Sequence, residues 1–173
     1  MSYDFRSDAI LGRAYEYWES KCGGRPMPRR RDIDPSEITR LLPYLQITEF
    51  IDRGARIRYR LVGTAIVATY GIDRTGKYFD EVLSGDRLHY FEHCYRLICS
   101  ERRPILMLSR YVSQKEIELT CHRVVMPLSE DGSEVNQALT AMSFKFPGEL
   151  KPDASDWQKS ESSVDTTSCE VIR

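Results

Sequence analysis

Two histidines, His89 and His93, stand four residues apart in a stretch with helical periodicity. That step brings both side chains to one helix face, where they could share a metal ion. No third ligand stands beside them, and two imidazoles alone make a poor site, so no metal is expected. The same stretch carries an apolar stripe of Leu88, Phe91, Cys94, Tyr95 and Ile98, which turns His89, His93 and Arg96 toward water. His122 lies in a strand-like stretch and reads as a surface or cross-strand polar group. The five cysteines (Cys22, Cys94, Cys99, Cys121 and Cys169) are odd in number and lack metal or redox spacing. They read as reduced thiols, which points to the cytoplasm. The run Arg29, Arg30, Arg31 has the chemistry to hold phosphate, but Asp32, Asp34 and Glu37 neutralise it locally. Arg56, Arg58 and Arg60 share a strand face, as an anion-binding stripe or as partners of acids on the next strand. The chain has no nucleophile elbow, no phosphate-cradling glycine loop and no zinc-protease helix motif. No catalytic residue is assigned, and an enzyme is not expected.

Composition sets the frame for these groups. The 173 residues are 41% hydrophobic and 29% charged, ordinary values for one globular domain with extensions. Lys and Arg number 25 against 26 Asp and Glu, so the formal net charge is -1. Such balance gives no general attraction to nucleic acid or anionic membrane, and neither is expected as a partner. No apolar run is long enough to span a bilayer, and the early residues do not read as a signal peptide.

The elements that position the side chains follow from periodicity. Phe5 to Lys21 reads as a helix with Leu11, Ala14, Tyr15 and Trp18 on one face, stopped at Gly23 and Gly24. An extended arm follows, because prolines at 26 and 28 exclude helix interior. Strands are expected from Leu45 to Ile51 and around Ile57, Tyr59 and Leu61, joined at Asp52, Arg53 and Gly54. Short helices over Ala65–Tyr70 and Tyr78–Leu83 precede a long one over Asp86–Arg102. Three more strands fall at Pro104–Val112, Glu116–Leu128 and Val135–Phe146. The order gives an α+β fold, one five-stranded antiparallel sheet with helices on one face and an added N-terminal helix. The divisions are 1–35 for helix and arm, 36–147 for the domain, and 148–173 for a polar tail expected to be disordered.

Three stretches carry a resemblance. They are Tyr17-Trp18-Glu19-Ser20 with Gly24-Arg25-Pro26-Met27-Pro28 and Arg31-Asp32-Ile33-Asp34-Pro35; Tyr59-Arg60-Leu61-Val62-Gly63-Thr64; and Tyr70-Gly71, Asp73, Thr75-Gly76-Lys77. With the strand order they resemble a PAS domain, of the small single-domain kind common in alphaproteobacteria. The resemblance implies a sensory or regulatory module of bacterial signal transduction that acts by binding a partner protein. A cleft between sheet and helices can hold a small apolar ligand, although close packing favours its lining side chains simply filling the core. Its expected lining is Tyr59, Leu61, Tyr70, Phe79, Leu88, Phe91, Tyr95, Met142 and Phe144. A haem-bound sensor is the alternative, disfavoured because the histidines of the long helix face away, and an unrecognised enzyme comes third. A PAS core closes without a helix ahead of its first strand. The stripe of Leu11, Ala14, Tyr15 and Trp18 is therefore expected to form a homodimer interface, with the outer sheet face of its own domain as the alternative cover.

Overall fold

The computed structural model describes residues 3–112, 118–146 and 164–173. The first helix, α1, runs Leu11–Cys22, shorter than its apolar spacing suggests. Phe5–Ser7 forms a separate turn of 3-10 helix. Asp8 causes the break, since its Oδ1 accepts the backbone N–H of Ile10 at 2.9 Å and of Leu11 at 3.1 Å and so starts the helix afresh. The helix ends at Gly23 in the left-handed region, φ 55°.

Strands β1 (Leu45–Ile51) and β2 (Arg56–Val62) form a hairpin. Helices α2 (Thr64–Tyr70), α3 (Phe79–Val82) and α4 (Gly85–Glu101) follow. Strands β3 (Ile105–Val112), β4 (Glu118–Leu128) and β5 (Gln137–Lys145) complete the expected set. A further strand, β6 (Val164–Val171), pairs antiparallel with β3. The sheet order is β2-β1-β5-β4-β3-β6. The sheet thus has six strands rather than the expected five.

The sixth strand comes from the stretch read as a disordered tail, and for residues 164–173 that reading is corrected. An edge strand gains its main-chain hydrogen bonds from its neighbour and needs few apolar side chains. Ile172 N–H donates to Pro104 O at 2.8 Å, and the Tyr90 hydroxyl donates to Ser168 O at 2.8 Å. The rest of that stretch, residues 148–163, lies outside the described residues.

Helices cover both faces of the sheet, not one. On one face Leu11, Ala14, Tyr15 and Trp18 join Met27 and Ile33 of the arm against Ile47, Val124, Met126, Leu128 and Leu139. On the other, Phe91, Cys94, Tyr95 and Ile98 of α4 pack on Ile105, Met107, Val125 and Ala138. Two-sided cover explains why β4 is buried almost continuously rather than at alternate positions. It also corrects the dimer reading of the α1 stripe. None of its four residues is more than 7% exposed, and Trp18 Nε1 donates to Pro127 O at 2.9 Å. The chain's own sheet already covers that face. Among the described residues no helix is long and apolar enough to cross a membrane.

Candidate functional site

A cavity lies between the face of the sheet opposite α1 and helices α2 to α4. Its volume is about 20 Å³, room for one water molecule. Tyr59, Tyr70, Phe79, Phe91, Tyr95 and Met142 line it, as the sequence reading expects. Phe79 is the centre of the aromatic packing, with Tyr59, Tyr95 and Phe91 at ring distances of 4.7, 5.0 and 6.4 Å.

Three expected lining residues do not reach the cavity. Leu88 and Phe144 are half-buried beside it, with Phe144 edge-on to Tyr70 at 5.8 Å. Leu61 is 41% exposed. A bulge explains Leu61: β1 pairs Ile47 with Leu61 but Thr48 with Tyr59, so β2 carries an extra residue and alternation breaks. Val62 takes the inward position instead and lines the cavity.

Polar groups that the sequence reading missed share the lining. Gln46, Arg74, Tyr111 and Arg123 all border the cavity. Arg123 is 2% exposed. Its position on β4 follows from period two: it points the same way as Cys121 and Val125, into the layer under the helices. One terminal nitrogen donates to Ser109 Oγ at 2.9 Å. The other donates to the Tyr70 hydroxyl at 2.8 Å and the Tyr111 hydroxyl at 2.7 Å. Next to this cluster Tyr95 OH shares a hydrogen bond with Thr140 Oγ1 at 3.1 Å, and Gln46 Nε2 reaches Tyr95 at 3.4 Å. A signal for Arg123 existed in the sequence, since a charge on the apolar face of a strand is more informative than another apolar residue there.

Burial pushes the Tyr59, Tyr70 and Tyr95 hydroxyls above their ordinary values and keeps them protonated. Tyr111 differs. Burial would raise it too, but the charges of Arg123 and then Arg87 outweigh that and hold it below its ordinary value. The guanidinium itself stays charged. The site therefore combines aromatic walls with a fixed positive charge.

The segment between α2 and α3 forms the rim. Gly76 N–H donates to Tyr59 O at 2.7 Å, and Tyr59 N–H donates to Lys77 O at 2.9 Å, which ties the segment to β2. Asp73 Oδ1 caps the turn on Thr75 N–H at 2.9 Å. Ile72 is 48% exposed and, with Arg74, stands where the cavity meets solvent.

Other candidates resolve into structural roles. Arg58 and Arg60 pair with Glu49 at 2.5 and 3.5 Å, and Arg56 with Asp80 at 2.7 Å, so acidic neighbours account for that stripe. Asp32 pairs with Arg25 at 2.7 Å and accepts Arg29 N–H at 2.8 Å, which fixes the arm. His89 and His93 are exposed on α4. His122 is 7% exposed and stacks on Tyr3 at 3.7 Å on the α1 side, so it is not a surface group.

Set against models of known families, residues 7–143 match the one described as a PAS domain. No curated protein matches the chain.

Proposed function

The chain belongs to the PAS domain family, and from that premise we propose that it is a sensory module that takes a small ligand in the cavity under α2 to α4 and passes the signal to a regulatory protein partner. The observation that supports this most is the cavity itself. Its wall is built from both sheet and helices, so a ligand that swells it must move α2, α3 or α4 against the sheet. Interiors are close-packed, so even a small insertion is transmitted. PAS domains are in general sensory and not catalytic, and burial in the cavity holds Tyr59 and Tyr95 protonated, which suits them to hydrogen bonding rather than to proton abstraction. Bacterial signal transduction in the cytoplasm is the setting we propose for it.

Native mass spectrometry tests this reading. The full chain is incubated with the small-molecule fraction of a bacterial extract and sprayed under folding conditions. We expect a discrete bound mass that is lost on denaturation. A chain that binds nothing from such a fraction argues against a ligand-gated module.

A further inference from the structure

Three guanidinium groups converge on one pair of phenol rings. Arg123 holds both the Tyr70 and Tyr111 hydroxyls. The Arg74 guanidinium lies over the Tyr70 ring, 4.9 Å from its centroid. That of Arg87 lies over the Tyr111 ring at 5.2 Å. In all three side chains Nε is buried and has no hydrogen-bond partner among the described residues. None of the three joins a salt bridge among those residues, and none of the described Asp or Glu residues lines the cavity.

This arrangement is costly as a purely structural device. Like charges held together repel, and a buried ion without a counter-charge loses its hydration with no full replacement. Hydroxyl groups satisfy the terminal nitrogens of Arg123 but leave its Nε without a partner, and no carboxylate among the described residues balances its charge. On the neighbouring hairpin, by contrast, Arg56 pairs with Asp80 and Arg58 with Glu49. The three-arginine cluster borders the cavity between the sheet and α2 to α4.

We infer that the cavity is an anion site that takes a small organic carboxylate, with the carboxylate toward Arg123 and Arg74 and the apolar body against Phe79 and Phe91. This rests on the sensory reading above and replaces the apolar ligand expected from the sequence with a charged one. Arginine's planar fork suits a carboxylate, and aromatic walls suit a short hydrocarbon body rather than an inorganic ion. The present volume admits a ligand only as the rim at Ile72 and Arg74 opens.

Thermal unfolding of the full chain tests this with propionate, with propionamide as its neutral counterpart, and with sodium chloride at matched ionic strength. Propionate is expected to raise the melting temperature by about 5 to 10 °C at a hundred times its Kd, while propionamide and chloride leave it unchanged. Arg123→Met should abolish the response. Arg74→Gln, at the rim, should weaken propionate about tenfold in a chain that still folds, which keeps the test decisive if Arg123→Met does not fold. No rise with propionate, an equal rise with propionamide or chloride, or an unchanged response in Arg74→Gln overturns the inference. A ligand captured from the small-molecule fraction, together with no response to propionate, defeats the carboxylate and leaves the sensory reading standing.

Discussion

Arg123 and His122 are neighbours on β4 and face opposite sides of the sheet, and each shows what a single residue can and cannot announce. Alternation along Cys121, Arg123 and Val125 was enough to place a charge on an apolar face. Its partners, Ser109, Tyr70 and Tyr111, lie far apart in sequence, so no spacing could assemble them. His122 gives a pH prediction. Burial first, and the nearby charge of Lys145 second, hold it down to about 4, below its ordinary value of about 6.5. The unfolded chain therefore binds a proton first, and stability falls as pH drops from about 6.5 to about 4, with no further loss from this group below that. Asp8 acts in a lower window. Burial would raise it, but the N–H of Leu11, the hydroxyl of Ser143, the N–H of Ile10 and the hydroxyl of Tyr3 together hold it below the usual carboxylate range. Its contribution is present above about pH 4 and is lost as pH falls through its lower folded value. Urea unfolding across this range should show both, and His122→Gln should flatten only the upper part. An unchanged upper slope in that variant would remove His122 from the account.

At the scale of elements, periodicity identified the apolar face of α1 correctly but not what covers it. A stripe of Leu11, Ala14, Tyr15 and Trp18 looks the same whether it meets a second chain or its own sheet. The arm decides the matter: Arg25 to Asp32 at 2.7 Å and Tyr17 to the backbone of Asp34 pin it under α1, and Met27 joins the same core. The first of the stretches that carried the family resemblance is thus the one that fastens the helix to the sheet. Trp18→Ala should cost about 3 to 5 kcal/mol in unfolding free energy, as expected for an internal tryptophan, with no change in sedimentation. A shift to a smaller sedimenting species without loss of stability would restore the interface reading. Gly63 is a second such point. A Cβ there would strike the backbone carbonyl oxygens of Pro43 and Leu42 where β2 leaves the sheet, and Gly63 N–H donates to Leu45 O at 2.8 Å. Backbone cannot yield as a flexible side chain can, so Gly63→Ala should lower stability by about 3 kcal/mol. A denaturation midpoint equal to that of the parent would contradict that packing.

Across the whole molecule, most strands and helices were legible because their apolar residues recur at periods of two or of three to four. The sixth strand was not, because its apolar residues are sparse and its partner β3 lies far back in the chain. Its β-branched residues Val164, Thr166, Thr167 and Val171 were the available hint. Deleting residues 164–173 should bare the β3 edge and uncover the cluster against which Cys169 and Val171 pack. A loss of about 2 kcal/mol, or roughly 4 to 8 °C in melting temperature, is expected. An unchanged melting curve would show that β6 adds nothing to the fold. The two helical layers then divide the labour: α1 and the arm seal one face with tight apolar packing, and α2 to α4 hold the cavity over the other. Hydrogen-exchange mass spectrometry of the full chain, with and without the small-molecule fraction that supplies its ligand, tests this division most directly. Exchange should slow in α2, the rim segment 71–78 and α4, and stay unchanged in α1. Protection confined to α1 and the arm, or absent throughout while a ligand is bound, would contradict the account.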